Sequence, residues 1–220
     1  MKLLKTVLHP RIKLFLLLTI LFSMFIFVSA YSYVTAVSND IADSVFRLHV
    51  IANSDSSEDQ ALKYMVRDAL LDYMNQLAQN TSSKQEVIKL AQTHLLELEQ
   101  IAKNTILEKG YSYDVHVTIG NFSFPTKEYG DITLPAGYYD ALRVEIGEAS
   151  GQNWWCVMFP PLCFVDVSSG IVPEESKEEM RNNLSEEEYS LISNDSNQEI
   201  RFKFKLIEFL QNTKILTAKN

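Results

Sequence analysis

Cysteine is nearly missing from this chain. Cys156 and Cys163 are the two it has in 220 residues, with no Cys-x-x-Cys pair and no neighbouring histidine. Zinc generally takes four ligands, so no metal site is expected, and no cofactor is expected either. Gly-x-Ser-x-Gly, a phosphate-binding glycine loop, His-Glu-x-x-His, Asp-Thr-Gly and Asp-Ser-Gly are all absent. With them go the local signatures of serine hydrolases, nucleotide-binding enzymes, zinc proteases and aspartic proteases. There is no internal repeat or low-complexity tract. Basic residues are also scarce, with 20 Lys and Arg against 28 Asp and Glu and a net charge of −8. Residues 1–30 hold four of those cations (Lys2, Lys5, Arg11, Lys13) and no acid, which leaves −12 on the remainder by difference. Phosphate contacts need clustered Lys and Arg, so the acidic body is a poor nucleic-acid partner.

What is present begins with a long apolar run. Leu14–Val28 is interrupted only by Thr19 and Ser23, follows a basic flank, and ends in the small residues Val28-Ser29-Ala30. That pattern reads as a signal peptide cleaved near residue 30, or as an uncleaved signal anchor if the span runs on to Val34. A buried core helix is the plainer alternative. On either export reading the basic flank stays in the cytosol and the chain from about Tyr31 onward lies outside the membrane. Hydrophobic content of 46% and aromatic content of 11% support a real core behind it.

The most unusual chemistry lies in Gly151–Gly170. Trp154, Trp155, both cysteines and Phe159-Pro160-Pro161 fall within about a dozen residues there. Proline fixes φ and donates no backbone hydrogen bond, so an apolar strand Trp154–Phe159 must bend at Pro160 before a second short strand, Leu162–Val167. The bend can bring Cys156 and Cys163 together. Outside the cytosol such a pair tends to oxidise, closing a small loop. Two reduced buried thiols, or a reactive cysteine paired with His49 or His116, are the other readings.

Organisation along the chain follows periodicity. Residues 31–45 form a polar-leaning connector. Phe46–Ala52 alternates Phe46, Leu48, Val50 with Arg47, His49, Ile51, as a strand does. Asp55 and Glu58 have capping-box spacing for a helix to about Gln79, with Leu62, Met65, Val66, Ala69, Leu70, Tyr73 and Leu77 on one face. Ser83 and Glu86 repeat the spacing for a second helix to Lys109, with Gly110 as its C-cap. Asp55, Asp59 and Asp68 are a helix start and a solvated face. Tyr111–Ile119, continued by Phe122–Phe124, and Asp140–Ile146 alternate as half-buried strands, the latter with Arg143 and Glu145 on one face as a surface pair. The expected fold is α+β: an antiparallel sheet of about four strands with a two-helix pair on one face, spanning 46–170. Residues 171–200 are dense in Glu, Ser and Asn and read as an acidic mobile segment. The 201–220 tail mixes basic and apolar residues, suited to docking on the acidic body or touching an anionic membrane.

Four blocks, Arg47–Lys63 (RLHVIANSDSSEDQALK), Phe124–Gly130 (FPTKEYG), Leu134–Gly147 (LPAGYYDALRVEIG) and Asn153–Phe164 (NWWCVMFPPLCF), resemble the stage II sporulation protein R family of endospore-forming bacteria. The similarity runs from about Phe46 to Gly170. It implies a protein made in the forespore and exported across its membrane into the intermembrane space. There it triggers a membrane-embedded aspartic protease of the mother cell, which processes the pro-sigma-E precursor. The resemblance carries no catalytic residue. Activation by binding needs a partner surface, and the rim formed by Trp154, Trp155, Phe159, Pro160 and Pro161 is the candidate, with both tryptophans as simple core the alternative. An exported hydrolase or cell-wall-acting enzyme using Cys163 or Glu145 is the competing function.

Overall fold

Residues 10–163 and 172–193 are described by the computed structural model, and two compact units divide the chain after Ser38. The first unit holds most of α1 (Pro10–Ser44), a helix that continues through the expected connector. It is long and apolar enough to cross a membrane, with a mean hydropathy of 2.4 over its best window, and those residues are exposed. Its last residues belong to the second unit, where Ile41 is buried.

The second unit is built around β1 (Phe46–Ile51), all six residues of which are buried. Four strands form its sheet: β1, β2 (Val115–Phe124), β5 (Gly137–Ile146) and β6 (Asn153–Phe159), in the order β2-β5-β1-β6. The mixed α+β class and the strand count are as expected. One pairing is not antiparallel: β1 and β5 run parallel, with Leu48 opposite Leu142 and Val50 opposite Val144. Parallel neighbours need a long crossover, and the helices between them in sequence supply it. The β2–β5 and β1–β6 pairs are antiparallel.

Three helices cover one face rather than two: α2 (Ser57–Ala78), α3 (Lys84–Thr93) and α4 (Leu95–Glu108). The single helix expected from Ser83 to Lys109 breaks at His94, whose ψ of 24° leaves the helical region. Thr93 Oγ1 donates back to Lys89 O at 2.8 Å, an arrangement that bends helices, and Tyr73 on α2 holds His94 Nδ1 at 3.1 Å. Phe46, Leu48, Val50, Leu142, Val144, Ile146, Val115 and Val117 meet Leu62, Val66, Leu70, Val87, Leu98 and Ile106 in one core. Of the α2 face read from periodicity, Met65 is exposed, and Leu71 and Met74 are buried instead.

The caps differ in detail from the spacing rule. Ser56, not Asp55, caps α2 by accepting from Asp59 N–H. Ser83 caps α3, while Glu86 reaches Ser82 N–H rather than Ser83 N–H. Gly110, at φ +83°, ends α4 as expected, with Tyr111 N–H donating to Ile106 O. β2 starts at Val115 because its partner β5 ends opposite it, at Ile146. Tyr111 and Tyr113 precede it and stack on each other instead.

The opposite face of the sheet is covered by a short hairpin, β3 (Lys127–Tyr129) with β4 (Ile132–Leu134). Two further helices dock on that hairpin: α5 (Glu174–Asn183) and α6 (Glu186–Ile192). They lie in the segment expected to be mobile, but Met180, Tyr189 and Ile192 are buried there. Lys177 pairs with Asp131, Val172 N–H donates to Asp131 Oδ1 at 3.0 Å, and Ser176 Oγ donates to Pro161 O at 2.8 Å. The acidic composition supplies the outer face of these helices, and a few apolar residues at helical spacing suffice to seat them. The rest of that segment, the 201–220 tail and most of the expected second strand Leu162–Val167 lie outside the described residues; Leu162 and Cys163 themselves follow a turn and are not in a strand.

Candidate functional site

Cys156 and Cys163 form a disulfide, their Cα atoms 5.1 Å apart. Leu162 N–H donates to Val157 O at 3.0 Å, so the Phe159-Pro160-Pro161 bend folds back along β6, with the Phe159–Pro160 peptide cis. Pairing the cysteines removes the thiol that a Cys163 nucleophile requires. The histidines do not approach it: Cys156 belongs to the helix-side core, His49 faces the other side of the sheet, and His116 is exposed. Glu145 is held by Arg143 at 2.6 Å, both half-buried.

The five residues of the candidate partner surface do not share one surface. Adjacent residues in a strand point to opposite faces, and the two tryptophans obey this. Trp154 packs on the helix side, its ring 5.3 Å from Tyr64 and 4.4 Å below the Arg67 guanidinium, with Nε1 buried and unpaired. Trp155 lies on the hairpin side. Phe159 and Pro160 are buried and Pro161 is exposed. Each tryptophan is half-buried.

Asp55 and Asp59 hold the loop after β1 rather than forming a solvated face. Asp59 is buried and accepts from Asn53 Nδ2 at 2.8 Å and Ser54 Oγ at 2.6 Å. Burial works to raise its carboxyl, and the hydrogen bonds from Ser54 and Asn53 outweigh this and hold it below its ordinary value. Asp55 Oδ1 accepts from Gln152 N–H and Asn53 Oδ1 from Glu148 N–H, which ties this loop to the β5–β6 turn. Gly147 sits at φ +57°, where a Cβ would run into the Asn53 side chain. Asp68 pairs with Arg67 at the surface.

The densest polar cluster was not apparent from the strand pattern. Arg47 on β1 is fully buried beneath the hairpin. Its guanidinium lies 4.1 Å from the Phe124 ring centre, 4.7 Å from Tyr139 and 5.9 Å from Tyr129. Nη2 donates to Tyr129 Oη at 2.5 Å, and that hydroxyl donates to Trp155 O at 3.2 Å. Nε and Nη1 are buried with no partner. Among the described residues no carboxylate forms an ion pair with Arg47. Two residues along, His49 stacks on Trp155 with ring centres 3.7 Å apart, and its Nε2 meets Asn153 Oδ1 at 2.6 Å. Its Nδ1 is buried and unpaired. Burial, aided by the nearby Arg143 and Arg47 charges and opposed by the Asn153 bond, lowers the imidazole to about 4, so it is neutral at pH 7. Burial also raises the Tyr129 and Tyr139 hydroxyls.

Alternation marks Arg47 and His49 as the wet positions of β1, which is why a sequence pattern passes over them. One signal was available. Phe122, Phe124, Tyr139 and Trp155 fall in the same parity as Arg47 on the paired strands, so the column read as wet is largely aromatic. No group of three or more metal-ligating side chains occurs among the described residues.

The sequence profile of stage II sporulation protein R matches residues 42–169, the stretch that runs from just before β1 to beyond the disulfide. The stage II sporulation protein R of Bacillus subtilis (strain 168) is 40% identical over 138 residues, which cover 63% of this chain and 62% of that protein. The chain thus spans somewhat less than two thirds of the relative's length. No solved structure matches it. All four blocks that carry the resemblance contribute to the Arg47 cluster: Arg47 and His49, Phe124 and Tyr129, Tyr139, and Asn153 with Trp155. The chain belongs to the stage II sporulation protein R family.

Proposed function

We propose that this sporulation-family protein is an exported intercellular signal that works by binding. Made in the forespore, it crosses into the space facing the mother cell and activates a membrane-embedded aspartic protease there, which then processes pro-sigma-E. One observation carries the export step: a disulfide-bonded module follows an apolar, basic-flanked N-terminal helix. Disulfides persist in oxidising compartments outside the cytosol, and a helix of that kind is how a chain gets there. The protease and its precursor come from the family resemblance. Activation by binding requires tighter association with the active form of the protease than with the inactive one, since equal affinity shifts nothing.

The test is reconstitution in vesicles of the protease and its pro-sigma-E precursor, with this protein supplied on the outer side. Precursor cleavage that requires both proteins is the expected outcome. Equal cleavage without this chain, or cleavage by this chain without the protease, refutes the reading.

A further inference from the structure

The buried Arg47 guanidinium poses a physical problem that no other group among the described residues resolves. Removing a cation from water costs several kcal/mol unless it is paired and its donors are satisfied. Arg47 donates to the Tyr129 hydroxyl and lies beside the Tyr139 hydroxyl, but its Nε and Nη1 have no hydrogen-bond partner. Aromatic faces offset part of the charge, but they do not accept the N–H groups in the plane of the guanidinium. His49, on the same face of β1 and also buried, presents a further unpaired nitrogen, Nδ1. Buried polar groups in folded proteins are nearly always satisfied, so the open Nε and Nη1 of Arg47 and Nδ1 of His49, with Arg143 Nε open on the same face, point to a missing partner.

We propose that Arg47 is the centre of a binding site for a carboxylate group, which enters between the β3–β4 hairpin and the sheet and takes the open guanidinium donors. Arginine binds carboxylates through charge-assisted hydrogen bonds, which are about twice as strong as neutral ones. The charge count selects this class over phosphate. Among the described residues Arg47 is the only cation set against these rings, because His49 is neutral and Arg143, opposite His49 on β5, is paired with Glu145; a single positive charge matches a single negative one. Phe124, Tyr129, Tyr139 and Trp155 form apolar walls suited to an aromatic or aliphatic group attached to the carboxylate. The hairpin is short, with three residues each in β3 and β4; Tyr129 ties it to Arg47 on its inner side, and Lys177 of α5 holds Asp131 on its outer side. Moving Tyr129 of β3 aside opens the guanidinium to the incoming group. A peptide terminus or a small organic acid can supply the carboxylate, and this site stands whether or not the protease reading holds.

Three probes test it on the whole chain in detergent micelles: sodium acetate, a tripeptide ending in phenylalanine with a free C-terminus, and the same tripeptide as its amide. Fluorescence of Trp155, with Trp154→Phe removing the other indole, reports occupancy. Saturable binding of the peptide acid but not the amide is expected, at least about tenfold weaker in Arg47→Lys, whose ammonium lacks the planar fork, and absent in Arg47→Met. Acetate binding in addition identifies a small acid as sufficient; peptide binding alone identifies a peptide terminus. Equal binding of acid and amide, no binding of any probe, or unchanged binding in Arg47→Met overturns the proposal. Where the Arg47 variants fail to fold, the acid–amide comparison in the otherwise native chain decides alone. Protease activation is not the readout, so failure here and failure of the signalling role are separable.

Discussion

The two faces of the central sheet solve the problem of burial by different means. Toward the helices, β1 presents Phe46, Leu48 and Val50 to an aliphatic core that depends on close packing. Toward the hairpin, the same strand presents Arg47 and His49 to four aromatic rings and a few hydrogen bonds. Methyl groups gain from burial in proportion to area, whereas a charged group gains only if its donors find acceptors. The helix side is therefore organised for stability. The hairpin side carries buried polar groups whose desolvation works against stability.

Substitutions on β1 should separate the faces most clearly. Leu48→Ala should cost about 2–5 kcal/mol in urea denaturation, the range for emptying a packed leucine site. Arg47→Met, next to it in the chain, should be neutral or stabilising, because an apolar side chain of similar size relieves an unpaired charge. If Arg47→Met is the more damaging of the two, the contrast between the faces is lost. Breaking the disulfide with Cys156→Ala and Cys163→Ala should cost about 2–3 kcal/mol on the chain-entropy model for so short a loop. Its measure is the loss of stability under non-reducing conditions relative to the native chain.

Between pH 7.5 and 5, acid should act mainly through His49 on the hairpin face, before the lowered carboxylates take up protons. His49 titrates near 4 in the folded chain against 6.5 when unfolded. Between those values the unfolded chain binds more protons, so stability is full above about pH 6.5 and falls as pH drops toward 4. From pH 7.5 to pH 5 the loss from this group should be about 2 kcal/mol. His49→Gln should remove that slope, and an unchanged slope would mean other groups govern it. Gly147→Ala should cost about 1–2 kcal/mol through its left-handed backbone alone, with the Asn53 contact adding to it. Ser185→Ala, which removes the capping box of α6, should cost about 1 kcal/mol, detected as faster proteolysis of the Glu174–Ile192 helices with the sheet intact.

How far each face was legible follows from the same physics. Leu142, Val144 and Ile146 alternate cleanly, so β5 and its dry side could be read directly, and Ser83 and Gly110 marked helix ends correctly. A period of two says which residues share a face but not what covers the polar one. Nothing local in the alternation of β1 tells that Arg47 is enclosed by a hairpin some eighty residues later. The parallel β1–β5 pair was hidden for a related reason, since pairing partners this distant leave no local trace. His94 broke a helix through contacts with Tyr73 and a back-bonded Thr93, and propensity does not encode either. At Ser56, two adjacent residues could each have served as the cap, and the spacing rule chose the wrong one. The cysteines paired as oxidation outside the cytosol predicts.

β1 comes early in the chain yet occupies an interior position between β5 and β6, which are encoded about ninety and about a hundred residues downstream. In any chain synthesised or threaded N-terminus first, this strand therefore emerges with both of its edges unmatched. It must wait while the helices and β2 arrive, a long-range closure of the kind that slows folding. Until the last neighbour arrives, a hydrophobic ribbon is open to pairing with other chains, so delivery of the finished module depends on how long that wait lasts.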